Sequence, residues 1–282
     1  MANLFPNGSG FCRLLDAGAG IGSLSAAFLD RWGNGGFDFQ GVEVNAFELD
    51  RALTEDLSKT LNKYSHQANF SANIYGEDFI HAAADSLSGH LFSRPLVHYT
   101  HAILNPPYKK INSSSAHRLA LRRVGIETVN LYSAFVALAV AQAVPGGQVV
   151  AIIPRSFCNG PYYRPFRDFI FERAALRHIH LFESRNKAFK DDEVLQENII
   201  IRLERDGQQG AVTVSTSTDD SFANLVTYEH AFDRIVFPDD PQRFIHVPTS
   251  SEKTPSNYPR RSATHWLTWV LRYRPGQWSI SG

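Results

Sequence analysis

The chain has 282 residues, 43% of them hydrophobic and 20% charged, which excludes a disordered or fibrous protein. Basic and acidic residues balance at 28 each, so DNA or RNA binding would need a local patch rather than a global positive field. No apolar run of about 18 residues and no signal peptide is present, which predicts a cytoplasmic protein with no membrane partner. The 2 cysteines and 11 histidines show no metal-ligating spacing, so no metal is expected.

Short apolar runs alternate with helical patterns up to about residue 204. The runs predict seven strands, at residues 13–17, 37–44, 70–75, 99–104, 148–153, 176–182 and 198–203. Helices are predicted between them at residues 22–32, 46–64, 131–143 and 163–173. Such alternation is typical of an α/β, Rossmann-like domain with a mostly parallel sheet and helices on both faces. We therefore expect one such domain over residues 1–205, with ligands at the carboxyl ends of its strands.

The pattern changes beyond residue 205. Short strands are predicted at residues 211–217 and 224–228, so residues 206–255 are expected to form a β extension or to start another region. Residues 256–282 hold three of the 4 tryptophans without any clear period. Read in a shifted frame, codons for residues 265–270 permit Leu-Ala-Asp-Leu-Gly, with leucine and glycine forced. We therefore predict that this tail is translated out of frame, and a gene sequence without a sensible shifted continuation would contradict it.

A glycine-rich loop, Asp16-Ala17-Gly18-Ala19-Gly20-Ile21-Gly22, follows the first predicted strand. Glycines at such a junction allow a tight turn and a close approach of the backbone to a ligand. Ser23 stands where the dinucleotide-binding fingerprint has its third glycine. A carboxylate at Asp16 would oppose a pyrophosphate and suit the sulfonium cation of S-adenosylmethionine. The loop predicts a cofactor held by Asp16, Ala17, Gly18, Gly20 and Gly22. The loop alone leaves open whether this cofactor is a dinucleotide or S-adenosylmethionine.

Acidic residues follow the next two predicted strands. Glu43 closes the second, where a carboxylate can accept hydrogen bonds from ribose hydroxyls. Asp78 follows the third and could accept from an adenine amino group, with Phe79 beside the ring. A single acid after a strand is more often a helix cap. Three acids and a glycine loop in this order nevertheless predict a cofactor that contains a nucleoside.

The sequence Asn105-Pro106-Pro107-Tyr108 follows the fourth predicted strand. The two prolines stiffen the backbone and leave carbonyl oxygens without N–H donors. The Asn105 side-chain oxygen and the Pro106 carbonyl can then both accept from one amino group, which frees its lone pair for attack on a sulfonium methyl. Tyr108 offers a ring for stacking on a planar substrate. The motif therefore predicts methyl transfer from S-adenosylmethionine to an exocyclic nitrogen.

The glycine loop followed by Asn-Pro-Pro-Tyr resembles the adenine-N6 DNA methyltransferases of bacterial restriction–modification systems, in the gamma-type order where the cofactor loop comes first. The resemblance extends over roughly residues 4–250 and includes Asn130-Leu131-Tyr132. It implies the S-adenosylmethionine-dependent methyltransferase fold and double-stranded DNA as the partner, with an adenine flipped out and stacked on Tyr108. It also implies an aromatic residue over the other face of the base, for which Phe189 is the candidate.

A basic segment follows the motif and supports a nucleic-acid substrate. Its cations are Lys109, Lys110, His117, Arg118, Arg122 and Arg123, with no acid before Glu127. Because they lie beside Tyr108, we expect Lys109, Lys110 and Arg118 to hold phosphates that flank the flipped base. A charge run can also be only a solvated face.

Two departures from the family pattern leave alternatives open. Only about a dozen residues precede the glycine loop, and the chain stops near the expected start of a target-recognition domain, so a fragment is expected. The first alternative is a protein glutamine-N5 methyltransferase, which uses the same motif but has an extra helical domain before the loop. The second is an inactive remnant. The sequence leaves open the recognition site, the oligomeric state, and a target-recognition subunit or nuclease, fused or separate.

Overall fold

A computed structural model describes residues 1–89, 95–182, 197–218 and 224–248. Met1–Thr249 form one compact unit. Phe189 and the predicted out-of-frame tail at residues 256–282 lie outside the described residues. Among the described helices, none is long and apolar enough to span a membrane.

The described strands form one sheet. They are β1 (Ser9–Ala17), β2 (Asp38–Phe47), β3 (Phe70–Tyr75), β4 (Tyr99–Leu104), β5 (Ala143–Pro154), β6 (Ala174–Phe182), β7 (Asn198–Arg205), β8 (Val212–Ser217) and β9 (Val226–His230). Their order is β3-β2-β1-β4-β5-β7-β6-β8-β9. Strands β1 to β5 are parallel, and β7 runs antiparallel to both of its neighbours.

The predicted sheet of seven strands is too small, because the described sheet has nine. The two additional strands come from the region after residue 205. β8 pairs parallel to β6 and β9 pairs antiparallel to β8, so both extend the sheet at its β6 edge. This region therefore adds to the same sheet over its described residues.

The described helices are α1 (Ser23–Gly33), α2 (Arg51–Asn62), α3 (Phe79–Ser88), α4 (Ala116–Arg123), α5 (Leu131–Gln142), α6 (Arg164–Arg173) and α7 (Phe232–Ile235). The helical patterns of the sequence do not predict α3 or α4. Side-chain caps fix their starts, since Asp78 accepts from the N–H of His81 and Ser115 accepts from the N–H of Arg118. The short lengths of α3 and α4 give little periodic signal, whereas their caps define where each begins.

Two apolar cores cover the faces of the sheet. One contains residues of α1 and α2, and the other contains residues of α3 to α7. Neighbouring strand residues alternate between them, as Leu14 and Leu15 do in β1. Residues 132–140 of α5 are buried without interruption, as expected of a helix that is apolar on all sides. The rigid sheet leaves the loops at the carboxyl ends of β1 to β4 to form a site.

Candidate active site

A cavity of about 440 Å³ lies at the carboxyl ends of β1 to β4. Its lining residues are Gly18, Phe47, Glu48, Leu49, Glu77, Asp78, Phe79, Ile80, Asn105, Pro107, Lys109, His117, Leu131 and Phe135. The glycine loop after β1 and the Asn-Pro-Pro-Tyr segment after β4 therefore share one cleft. The strand order explains why these two segments lie together, because β1 lies directly between β2 and β4 in the sheet.

Six of the predicted site residues line this cleft: Gly18, Asp78, Phe79, Asn105, Pro107 and Lys109. Nine others do not line it: Asp16, Ala17, Gly20, Gly22, Glu43, Pro106, Tyr108, Lys110 and Arg118. The sequence pattern singles out neither Glu48 nor Glu77, and it groups His117 with the basic segment rather than with the cofactor. Glu77 directly precedes Asp78, so its position after a predicted strand was the available signal.

Backbone N–H groups of the glycine loop form hydrogen bonds with residues at the end of β2. The N–H groups of Gly18 and Ala19 donate to the carbonyl oxygen of Phe47 at 2.9 and 3.0 Å. The N–H of Gly20 donates to Oε2 of Glu48 at 2.7 Å. Gly18 and Gly20 have φ values of +72° and +55°, a region that glycine adopts without strain. These amides are therefore engaged within the protein and are not free to surround a phosphate.

The two ends of the loop are held by packing. Ala17 is fully buried at the end of β1. Gly22 precedes α1 with φ of +85°, and a Cβ there would lie 2.8 Å from Cδ1 of Leu57 in α2. Ala17 and Gly22 therefore fix the course of the loop without lining the cleft.

The carboxylate at the end of the second strand is Glu48, and the prediction that the strand closes at Glu43 is wrong. β2 continues to Phe47, so Glu43 lies within the strand and pairs with Arg13, with 3.4 Å between Oε2 and Nε. The predicted run ends at residue 44, just before the polar Asn45, which the structure places inside the strand. In the sheet this side chain is buried, and its Oδ1 accepts from the hydroxyl of Tyr75 at 2.9 Å.

Asp16 lies beneath the glycine loop rather than in the cleft. Its side chain is buried, and Oδ2 accepts from the hydroxyl of Ser25 in α1 at 2.6 Å. Burial raises the pKa of Asp16 to about 6, and the charge of Glu48 adds to the increase while the bonds from Ser25 oppose it. Asp16 therefore ties the start of α1 to β1, which corrects the expectation that it points into the pocket.

Asp16→Asn is expected to change the pH dependence of stability. The folded-state pKa is about 6 against an ordinary value of 3.8, so the folded protein binds more protons between these values. The contribution of Asp16 to the free energy of unfolding is therefore complete below about pH 4 and is lost as pH rises through about 6, by about 3 kcal/mol. Asparagine keeps an oxygen for Ser25 and does not titrate. Urea unfolding of both proteins from pH 4 to 7 measures the difference, and parallel stability curves would contradict it.

Asp78 has two partners at the edge of the cleft. Oδ1 accepts from the N–H of His81 as the cap of α3, and Oδ2 lies 2.9 Å from Nε2 of His117. The fold thus brings two histidines to one carboxylate, although their sequence spacing shows no metal pattern. Phe79 is 3% exposed, and its ring packs against Phe47 with centroids 5.2 Å apart. This end of the cleft combines a partly exposed acid with aromatic surface.

The Asn-Pro-Pro-Tyr segment lies against the glycine loop. A Cβ on Gly18 would be 3.9 Å from the Asn105 carbonyl oxygen and 4.0 Å from Cδ of Pro107. Asn105 and Pro107 are exposed and line the cleft, whereas Pro106 is buried. The Tyr108 hydroxyl donates to Oδ1 of Asn105 at 3.3 Å. The exposed Asn105 oxygen is therefore within reach of a group bound in the cleft.

Backbone pairing fixes the next residues of this segment. The N–H of Leu131 donates to the carbonyl of Lys109 at 2.8 Å, and the N–H of Ile111 donates to the carbonyl of Val129 at 2.7 Å. The Tyr108 ring packs edge-on against Tyr132, with centroids 6.2 Å apart and an interplanar angle of 88°. The motif is thus held by the start of α5, which explains why Asn130-Leu131-Tyr132 accompanies it in sequence.

The basic segment divides into paired and unpaired cations. Arg118 is 9% exposed, and its guanidinium donates to the carbonyl of Thr128 and to Glu127. The prediction that Arg118 holds phosphate is therefore wrong, because its guanidinium is already hydrogen-bonded within the protein. Arg122 also pairs with Glu127, while Lys109 and Lys110 are exposed and make no ion pair with the described residues.

The strand order and the cleft define the class of fold. A solved structure from Listeria monocytogenes, named as a class I S-adenosylmethionine-dependent methyltransferase, is similar with a TM-score of 0.56. The match covers 74% of this chain and 59% of that one at 12% identity, a likeness that shows the fold alone. The protein has the Rossmann-like fold of S-adenosylmethionine-dependent methyltransferases, as the sequence predicted.

The family follows from sequence. The model of the Eco57I restriction-modification methylase family matches residues 37–189, and the chain belongs to this family. Type II methyltransferase M.BsuBI of Bacillus subtilis is 50% identical over 244 residues, which are 86% of this chain and 48% of that protein. Type II methyltransferase M.PstI of Providencia stuartii is 42% identical over 259 residues, 90% of this chain and 50% of that protein. The chain spans about half the length of these curated relatives.

Proposed function

We propose that this chain is the catalytic part of a type II DNA methyltransferase that transfers a methyl group from S-adenosylmethionine to N6 of adenine. One observation carries the proposal: the glycine loop, Glu48, Asp78 and Asn105 meet in a single cleft. Membership of a restriction-modification methylase family supports the substrate class. The names of the two type II relatives support the same reaction.

The donor set of the cleft fits S-adenosylmethionine better than a dinucleotide. Glu48, Glu77 and Asp78 place three carboxyl groups along the wall, which favours a cation and opposes a pyrophosphate. The loop amides that would surround a phosphate in a dinucleotide site are bonded to Phe47 and Glu48 instead. This difference supports the sulfonium cofactor, which the glycine loop alone left open and the Asn-Pro-Pro-Tyr motif predicted.

Different residues of the chain would bind different parts of this cofactor. Glu48 would accept from the ribose hydroxyls, since a carboxylate has more lone pairs than the bonds from Gly20 and Asp50 use. Asp78 would accept from the adenine amino group, and Phe79 would pack beside the ring. Gly18 keeps the space next to Asn105 open because it has no side chain.

Catalysis rests on acceptors aimed at the attacking nitrogen. When bound, S-adenosylmethionine supplies an electrophilic methyl group on a cationic sulfur. Oδ1 of Asn105, which accepts from Tyr108 in the structure, would accept from the adenine amino group instead, together with the Pro106 carbonyl. Both acceptors stabilise positive charge that develops on the nitrogen, and the stiff prolines hold them in place. No strong general base is needed, because the nitrogen proton becomes acidic once the methyl group is transferred.

Tyr108→Ala is expected to impair duplex DNA more than a substrate whose adenine is mismatched. Base–aromatic stacking contributes about 1–3 kcal/mol, which corresponds to an increase of about 5-fold to 150-fold in KM on duplex DNA. A mismatched adenine needs less energy to leave the helix, so the loss there should be smaller. Tyr108→Phe is the control, since it keeps the ring. Equal losses on both substrates would argue against stacking.

Lys110→Ala and Arg118→Ala are expected to have different effects. Loss of the exposed Lys110 should weaken DNA binding about equally for all sequences and reduce the slope of log affinity against log salt by about one. Loss of the buried Arg118 should lower the free energy of unfolding by about 1–3 kcal/mol, because it breaks charge-assisted bonds. Filter binding at several KCl concentrations and urea unfolding measure the two effects. A lower salt slope in the Arg118 variant alone would show that Arg118, and not Lys110, contacts the DNA phosphates.

Covering the second face of the base and recognising the DNA sequence would both depend on residues outside the described site. Phe189 remains our candidate for covering the second face of the base, by the resemblance alone. About half of each curated relative lies outside the match. We propose that DNA sequence recognition, and any associated nuclease, reside in a fused region or a separate subunit.

The experiment that tests the function is transfer of a labelled methyl group. The protein is incubated with tritiated S-adenosylmethionine and unmethylated DNA, and the DNA is hydrolysed to nucleosides. Label in N6-methyladenine is expected. Label only in protein would favour the glutamine methyltransferase, and label in cytosine would contradict adenine as the target. Saturable cofactor binding without any transfer would show that this chain is inactive alone.

A further inference from the structure

We propose that Asp78, His81 and His117 form a site for one divalent transition-metal ion of the Zn²⁺, Co²⁺ or Ni²⁺ class, and that this ion excludes the methyl-donor cofactor. The site overlaps the proposed cofactor site at Asp78, but no step of methyl transfer needs a metal, so the ion would have a separate role. The exclusion rests on the proposed function, which assigns the Asp78 carboxylate to the adenine of the cofactor.

The three side chains already place their donor atoms together. One ligand atom of each lies within 4.8 Å of the other two. Nε2 of His117 is 2.9 Å from Oδ2 of Asp78. Neighbouring ligands that each lie about 2.1 Å from one ion are separated by about 3 Å, so this pair is already at a chelating distance. The rings of His81 and His117 have centroids 4.9 Å apart, so the His81 ring would have to turn toward the other two ligands to complete the set around one ion.

Secondary structure holds the site in place. Asp78 is the cap of α3 and His81 lies in its first turn, so the helix fixes their spacing. His117 is the second residue of α4. The two helices are also joined by Arg123 and Asp85, with 2.7 Å between Nη2 and Oδ1. Donors on packed helices need little ordering when a ligand binds.

The donor chemistry selects the class of ion. Two imidazoles and one carboxylate suit borderline ions such as Zn²⁺, Co²⁺ and Ni²⁺, whereas Mg²⁺ and Ca²⁺ prefer oxygen donors alone. The imidazole of His81 makes no hydrogen bond or ion pair with the described residues, so a metal would use a donor that is otherwise unengaged. Glu48 and Glu77 line the same cleft and add a field that favours cations.

Competition with the cofactor follows from the shared carboxylate. Asp78 and His117 line the cleft, whereas His81 does not. Oδ1 of Asp78 is engaged as the helix cap, so the ion and the adenine amino group would compete for Oδ2. His81 therefore serves the metal and has no part in the proposed cofactor site, which makes it the informative residue to replace.

Titration of the purified, metal-free protein with Co²⁺ tests the site, because ligand-field absorption in the visible reports coordination without any activity assay. We expect saturation at one Co²⁺ per chain. His81→Ala and His117→Ala should each weaken Co²⁺ binding at least about tenfold. His66→Ala removes an exposed histidine outside the cluster and should bind as the unaltered protein does. Circular dichroism confirms that each variant is folded.

No saturable Co²⁺ spectrum, or cluster variants that bind Co²⁺ as tightly as the unaltered protein does, would overturn the site. Repeating the titration with saturating S-adenosylhomocysteine tests the exclusion: the apparent Co²⁺ affinity should fall at least about tenfold, and an unchanged affinity would overturn it. Separately, failure of the metal-free protein to bind S-adenosylhomocysteine would overturn the proposed function and with it the exclusion, while the Co²⁺ titration alone would still decide the metal site.

Discussion

Asn105→Ala is expected to reduce the single-turnover rate of methyl transfer by at least about 10²–10³-fold, the usual effect of removing a group that stabilises charge in a transition state. Cofactor affinity should stay within about twofold, because the proposed cofactor contacts come from Glu48, Asp78 and Phe79. The structure supports this separation, since the Asn105 side chain is exposed and its Oδ1 accepts from Tyr108 rather than from a residue of the proposed cofactor site. Rapid quench with labelled cofactor gives the rate, and a binding titration gives the affinity.

Asn112→Ala provides the control for Asn105. Asn112 is another exposed asparagine in the same segment and does not line the cleft. Its replacement should leave both the rate and the affinity near those of the unaltered protein. Full methyl transfer by Asn105→Ala would refute the assigned role of Asn105.

Glu48→Ala is expected to weaken cofactor binding by about 10–100-fold, whereas Glu43→Ala should leave it within about twofold. Loss of a charge-assisted hydrogen bond costs about 1.5–3 kcal/mol, and about 1.4 kcal/mol corresponds to tenfold in affinity. Glu48 also anchors Gly20, so its removal loosens the loop beside the cofactor. Glu43 pairs with Arg13 and accepts from Asn73, away from the cleft.

Isothermal titration with S-adenosylhomocysteine measures both affinities. Glu48→Gln separates the two contributions of the carboxylate, because glutamine can still accept from Gly20 but has no charge. A larger loss for the Glu43 variant than for the Glu48 variant would return the ribose contact to the residue that the sequence predicted.

Much of the fold could be predicted because it depends on apolar runs and their order. The predicted strands at residues 70–75 and 99–104 coincide with β3 and β4. The motif after β4 was also recognisable, because Asn105 to Tyr108 are contiguous and need no tertiary information. Strands were also predicted near β8 and β9, but the predicted seven-stranded sheet left them out, since the pairing of β8 with β6 and of β9 with β8 is a long-range choice that local pattern does not encode.

The wrong predictions at the site arose because contacts between residues far apart in sequence decide where these side chains lie. Glu43 was chosen because the second apolar run was taken to end at residue 44, whereas β2 continues to Phe47, and the bond from Tyr75 lets the polar Asn45 lie within it. Arg118 looked free because the nearest acid in sequence was remote, while α4 and its following turn bring Glu127 back to it. His81 and His117 are far apart in sequence and meet only through the packing of α3 against α4.

A crystal structure with S-adenosylhomocysteine would show whether the loops after β1 to β4 build one cofactor site facing Asn105. We predict the adenine beside Asp78 and Phe79, the ribose hydroxyls on Glu48, and the sulfur opposite Asn105. Binding elsewhere would contradict the account, for instance in the separate cavity of about 370 Å³ that Phe171, Phe232 and Arg243 help to line.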